Sequence, residues 1–210
     1  MSLGLKIANV DSTSRSPGTN GISSQPEEKP RNARRYTKQE QETRTQQRDK
    51  NKLRVGTLNV ITLTGNTEEI VDMMERTKIH NLGLSETKWK GKKLLKLLRG
   101  EYKLFWQDHN KEAKNEVGFV FHKDIDPVTD VSFVSERIIR ARVNLGKTSF
   151  TILQVYAPQQ GCSEEEKTKF LEELEDQVRE DNIMIIGDLN AQIGTDRNGY
   201  EGVTGPFGYG

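Results

Sequence analysis

The sequence predicts a layered α+β or α/β domain, two sheets packed face to face with helices outside, behind a polar N-terminal segment. Three observations lead there. From Leu53 onward, strand-like apolar runs alternate with two helical stripes, strands dominate the middle of the chain, and four of the runs break off at polar residues. Leu53 to Val60 reads as a first strand. Asn66, with Glu69 three residues on, is placed as the capping box of a helix whose stripe is Ile70, Met73, Met74 and Thr77. Leu82 to Leu84 is a short buried strand before a polar turn, Ser85 to Lys88. The pairs Leu94-Leu95 and Leu97-Leu98 then read as the start of an amphipathic helix.

Tyr102 to Trp106 and Val117 to Phe121 read as strands, followed after Pro127 by Val128 to Val134, Ile138 to Leu145 and Phe150 to Val155. Gly146-Lys147 is the expected hairpin turn between the last two. Ser163 and Glu166 form a capping box for a helix with Phe170, Leu171, Leu174 and Val178 on one face. It ends near Asp181-Asn182. The last run, Ile183 to Ile186, reads as a buried strand that stops at Gly187-Asp188-Leu189-Asn190.

The chain has 210 residues, 32% hydrophobic and 30% charged, with a mean hydropathy of −0.78, which allows one domain of ordinary size plus a tail. The polar excess sits at the front. Residues 1–52 have almost no aliphatic side chain after Ile22, so a disordered tail is expected there and the domain over 53–210. The formal net charge of +1 hides an asymmetry: residues 1–52 hold 11 Lys/Arg and 6 Asp/Glu, the rest 21 and 25. A basic arm beside a mildly acidic domain suits a polyanionic partner, and a solvated linker reads equally well. Cys162 is the only cysteine, so no intrachain disulfide forms and a reducing, intracellular setting is expected. No apolar run approaches the roughly 20 residues that span a bilayer, and no membrane partner is expected.

The candidate chemistry lies at the strand ends. Asn59, Glu86, Tyr156, Asp188 and Asn190 follow or close apolar runs, and such a set suits holding a hard cation and handling a phosphate. Asp188 and Asn190, two residues apart, point to one side of their strand end. By itself Glu86 would pass for a surface acid, Asp188 for a turn residue, and Asn59 and Tyr156 for satisfied strand-end polar groups. His80, His109 and His122 lie in or beside connections and read as surface or satisfied histidines. Lys88, Trp89 and Lys90, followed by Lys92 and Lys93, make a basic, aromatic-tipped stretch that is either a nucleic-acid contact or a solvated charged face.

Four segments in order, Gly56-Thr57-Leu58-Asn59-Val60, Leu84-Ser85-Glu86-Thr87-Lys88-Trp89, Val155-Tyr156-Ala157-Pro158-Gln159 and Gly187 through Asn190 to Gly194, resemble the endonuclease/exonuclease/phosphatase family. Within it they look most like the endonuclease domain of non-LTR, LINE-type (RTE-like) retrotransposons, and Gly205 to Gly210 looks like the loop that follows. The resemblance implies a four-layered α-β-β-α, DNase I-like sandwich. It implies Mg²⁺- or Mn²⁺-dependent hydrolysis of DNA, or of RNA, in the nucleus, with a nick that leaves a 3′-hydroxyl. Glu86 and Asn59 would serve the metal. Asp188 would orient or deprotonate the water, Asn190 and Tyr156 would bind the phosphate, and Lys88, Trp89 and Lys90 would contact nucleic acid. Ile61 departs from the pattern, standing where many relatives carry a polar residue. Family domains also continue into further strands and a Ser-Asp-His that this sequence does not show before Gly210, so final strands are expected to be lacking and activity weak or lost. The alternative is a non-catalytic retroelement remnant that binds nucleic acid or protein.

Overall fold

The computed structural model describes residues 6–11, 52–89, 93–97, 100–106, 117–125, 130–145, 147–179, 182–191 and 198–199. In chain order the elements are β1 (Lys6–Asp11), β2 (Lys52–Asn59), α1 (Thr67–Thr77), β3 (Asn81–Ser85), β4 (Lys93–Leu97), β5 (Tyr102–Trp106), β6 (Val117–His122), β7 (Asp130–Phe133), β8 (Ile138–Leu145), β9 (Thr148–Tyr156), α2 (Glu164–Gln177) and β10 (Ile183–Asp188). One sheet runs β1-β2-β3-β6-β5-β4 and the other β10-β9-β8-β7. Each contains one parallel pair, β2 with β3 and β9 with β10; the other ladders are antiparallel.

Side-chain alternation on the strands builds the layers. On β2, Leu53 and Val55 face the second sheet, while Leu58 and the following Val60 join Ile70, Val71 and Met74 of α1. Phe119, Phe121, Ile139, Ala141, Val143 and Ile152 fill the space between the sheets. On the far side, Ile138, Leu153 and Val155 pack against Phe170 of α2. Three apolar clusters between four layers make the α-β-β-α sandwich, and β9, which feeds two of them, is buried from Thr151 to Tyr156. No helix among the described residues is long and apolar enough to cross a membrane.

Several expectations are corrected. Lys6–Asp11 lies within the segment read as disordered, yet it forms β1 along β2, with Val10 opposite Leu53 in the register and buried; residues 12–51 lie outside the described residues. Lys93–Leu97 is β4, an edge strand among the described residues, rather than a helix: β5 supplies hydrogen bonds that a short leucine pattern cannot foresee, and Leu94 and Leu95 stay exposed. Asn66 does precede α1, but its side-chain amide donates to Thr62 O (2.9 Å) and forms no cap. Leu171 points to solvent on α2. The Ile183–Ile186 run is only partly buried, since β10 is an edge strand among the described residues and Ile185 is exposed. The Ser163 box forms as read, with Ser163 Oγ accepting from Glu166 N–H and Glu166 Oε2 from Ser163 N–H.

Candidate functional site

Parallel pairing brings the polar strand ends together. In the first sheet Asn59 lies beside Ser85, and in the second Asp188 lies beside Tyr156, so the residues that follow in each pair emerge at one edge. Pairing continues past β2 and β3, with Val60 N–H donating to Ser85 O and Leu63 N–H to Thr87 O, which holds the 60–63 loop against the Glu86 turn.

The centre is the Glu86 carboxylate. Its Oε1 accepts from Asn59 Nδ2 (2.6 Å) and from the Tyr156 hydroxyl (2.9 Å), so side chains of both sheets meet on one oxygen. The other oxygen, Oε2, lies 3.8 Å from Lys88 Nζ, and both of these side chains are partly solvent-accessible. Asn59 is oriented by Ile61 N–H, which donates to its Oδ1 (3.1 Å) and leaves the amide NH₂ facing Glu86. Gln159 Nε2 donates to the Tyr156 hydroxyl oxygen (3.2 Å). Burial, then the Glu86 hydrogen bond, and then the Glu86 and Asp188 charges hold the Tyr156 phenol above its usual pKa of 10.0. Tyr156 is therefore a protonated donor at neutral pH.

Asp188 and Asn190 flank this centre on the second sheet. Asp188 O accepts from Ala157 N–H, Asn190 N–H donates to Asp188 Oδ1 (2.9 Å), and Asn190 Nδ2 donates to Ala157 O (2.6 Å). An amide NH₂ carries two hydrogens, and among the described residues Asn190 commits one of them. Gly187 makes the approach possible: its φ is +133°, and a Cβ there would stand 1.9 Å from Val155 O.

Among the described residues six non-glycine residues have left-handed φ, and four of them, Ile61, Glu86, Lys88 and Asn190, line this edge. Left-handed backbone costs energy in a residue with a Cβ, above all in β-branched Ile61, and its concentration here marks a site held against local preference. At Glu86 it breaks the strand alternation and returns the carboxylate to the side of Ser85.

Asn59, Glu86, Tyr156, Asp188 and Asn190 thus converge on one edge, and Lys88 joins them. Trp89 stands behind, edge-on to Trp106 (5.2 Å) with its indole N–H donating to Thr64 Oγ1 (3.0 Å), and Lys90 lies outside the described residues. His80 Nδ1 accepts from Arg54 N–H and His122 stacks edge-on with Tyr102, both away from the site; His109 is outside the described residues. Two residues escaped the sequence reading. Arg137, buried, donates from Nη1 to Tyr156 O (3.3 Å) and accepts Tyr156 N–H on its own carbonyl, clamping that residue's backbone. Gln154, wholly buried in β9, is the other; a lone amide in an apolar run was the signal that could have found it.

No cluster of three or more His, Cys, Asp or Glu among the described residues is placed to hold a metal. Mg²⁺ takes one or two carboxylates and keeps several waters; Glu86 could meet such an ion only through Oε2, since Oε1 already accepts from two donors, and the Lys88 ammonium 3.8 Å from Oε2 would have to yield that place.

No family model matches the chain. Its sequence is 30% identical over 162 residues to craniofacial development protein 2 of Bos taurus, covering 74% of this chain and 27% of that protein, so the chain spans about a quarter of that relative's length. Among solved structures it is similar to NExo, a 3′ phosphatase from Neisseria bound to a product DNA hairpin, with a TM-score of 0.54 and 18% identity over 70% of this chain and 63% of that one. An AP endonuclease from Archaeoglobus fulgidus matches with a TM-score of 0.52 and 22% identity over 66% and 57%. Four layers, two mixed sheets with their parallel ends at one edge, and these likenesses together give the chain the DNase I-like fold of endonuclease/exonuclease/phosphatase proteins over about two-thirds of its length, with a distant sequence similarity to craniofacial development protein 2.

Proposed function

We propose that this chain hydrolyses phosphodiester bonds in DNA with the help of a divalent metal, nicking one strand in the manner of a LINE-type retrotransposon endonuclease. The observation that carries the reading is the Glu86 carboxylate, gripped by Asn59 and Tyr156 from two different sheets and flanked by Asp188 and Asn190. Mg²⁺ or Mn²⁺ bound at Glu86 would neutralise charge on the scissile phosphate. Asn59 fixes the Glu86 rotamer. Asp188 accepts the proton of the attacking water, and Asn190 turns its spare amide hydrogen to a phosphate oxygen. Tyr156, kept protonated, orients Glu86 and extends the donor set toward the phosphate. Lys88 adds salt-sensitive attraction for the backbone. A solved structure of the same fold holds product DNA, which supports a DNA substrate, and a chromosomal target would put the activity in the nucleus. The retroelement character of Thr87-Lys88-Trp89 and Ala191-Gln192-Ile193-Gly194 favours this type over a phosphatase or repair nuclease.

The test is nicking of supercoiled plasmid by the purified chain with Mg²⁺, beside Glu86→Gln and Asp188→Asn. Metal-dependent conversion to open circles is expected, falling about 100-fold or more in each variant. DNA binding without any nicking by the wild type would replace this reading with the non-catalytic one.

A further inference from the structure

The groups of the site are divided between two sheets. Asn59, Glu86 and Lys88 belong to the first, Tyr156, Asp188 and Asn190 to the second. Most of the packing between these sheets is apolar, and apolar packing is non-directional: it holds layers together without choosing their offset to a fraction of an ångström. Gln154 supplies direction. Its Oε1 accepts from Thr57 Oγ1 of β2 (3.1 Å), and its Nε2 donates to Ser85 Oγ of β3 (2.9 Å) and to Val155 O (3.4 Å).

The three partners stand one step behind the three residues of the centre. Thr57 is two residues before Asn59, Ser85 immediately precedes Glu86, and Gln154 is two residues before Tyr156, each pair two apart sharing a strand face. An inner set of hydrogen bonds, Gln154 with Thr57 and Ser85, therefore backs the outer set, Glu86 with Asn59 and Tyr156. Room for the inner set is made on β3: a Cβ at Gly83 would fall 1.9 Å from Gln154 Oε1 and 2.7 Å from its Cδ. A glycine inside a central strand and a fully buried amide each cost stability relative to apolar residues of fitting size. Both are accounted for if the inner set serves geometry.

We infer that Gln154 is a positioning residue, whose buried amide ties β2 and β3 to β9 directly behind Glu86 and Tyr156 and so sets the distance across which the two sheets present their groups. This rests on the proposed function for its catalytic consequence, though not for its geometric one.

The experiment uses the full chain and Gln154→Met, which keeps the reach of the side chain and removes its hydrogen bonds. Thermal unfolding establishes that the variant folds. Fluorine NMR at pH 7 of protein labelled with 3-fluorotyrosine follows the Tyr156 resonance, assigned by Tyr156→Phe. In the variant the Tyr156 fluorine resonance is expected to move toward that of a solvent-exposed 3-fluorotyrosine as the Glu86 contact loosens, and plasmid nicking is expected to lose about tenfold or more in kcat with KM little changed. A folded Gln154→Met whose Tyr156 resonance and kcat match the wild type overturns the inference. If Gln154→Met does not fold, Thr57→Val and Ser85→Ala, which each remove one of the bonds, are read by the same two measurements. A wild type that does not nick, with a Tyr156 resonance that still moves in the variants, upholds the positioning role and removes the catalytic reading. A wild type that nicks, with variants indistinguishable from it, does the reverse.

Discussion

Tyr156 links the two sheets by one hydroxyl, and its protonation is tied to the fold. Because its folded pKa lies above the 10.0 of an unperturbed phenol, the stability it contributes is complete below pH 10 and is lost as the pH rises through the folded value. Urea unfolding as a function of pH is expected to show this alkaline loss, smaller in Tyr156→Phe, where Tyr102 still contributes because burial and then Glu75, Glu101 and Asp124 raise it too. At neutral pH the same substitution is expected to cost about 1 kcal/mol for the lost bond to a partly solvated carboxylate, and to lower nicking. Gly187 is less tolerant. With φ at +133° and Val155 O where a methyl group would go, Gly187→Ala is expected to destabilise the chain by roughly 3 kcal/mol or more in urea unfolding and to displace Asp188 with it.

Among the elements, α2 depends on its cap more than on its buried face, since Phe170 is its one fully buried side chain and Leu171 is exposed. Ser163→Ala removes one half of the reciprocal pair with Glu166 and is expected to cost about 1 kcal/mol in thermal or urea unfolding. Glu166 also lies 3.7 Å from Arg137 Nη2, so the cap continues to the residue that clamps the Tyr156 backbone. The helix α1 is placed by the opposite means: Asn66 gives it no side-chain cap, and Ile70, Val71 and Met74 dock it on β2 and β3. The left-handed Lys78 ends it by donating its N–H back to Glu75 O.

At the scale of the molecule, the four layers leave the site on one edge and segregate charge along the sequence. Residues 1–52 carry a basic excess although Lys6–Asp11 pairs into the first sheet, and residues 53–210 a mild acidic one, with Glu164, Glu165 and Glu166 at the start of α2. Under the proposed function an acidic residue set draws little from bulk electrostatics on meeting DNA, so the basic N-terminal residues, read from the sequence as either an arm or a solvated linker, are where much of the salt-sensitive affinity would arise. Replacing Arg31, Arg34 and Arg35 with Gln is expected to weaken DNA binding at low salt and to flatten the plot of log K against log salt concentration by up to about 3 in slope, with little change in sequence preference. Fluorescence anisotropy over a salt series measures both.

The sequence by itself determined the periodic elements and the polar residues that end them. Apolar runs at period 2, a stripe at period 3.6 and the abrupt stops at Asn59, Glu86, Tyr156 and Asp188 are one-dimensional signals, written in neighbouring residues. Where an element's state depended on a distant partner, local pattern failed: Lys6–Asp11 and Lys93–Leu97 became strands because β2 and β5 offered free edges, and the Ile183 run proved an edge strand because its sheet ends there among the described residues. Only the tertiary structure decided that the two parallel pairs stack with their ends together, that Glu86 turns its carboxylate back through a left-handed backbone, and that Gln154 finds Thr57 and Ser85, 97 and 69 residues away. A buried glutamine in an apolar strand announces that a partner must exist, since an unpaired amide there would cost several kcal/mol. Which partner answers is set by the packing of one sheet on the other, and nothing in the flanking residues encodes it.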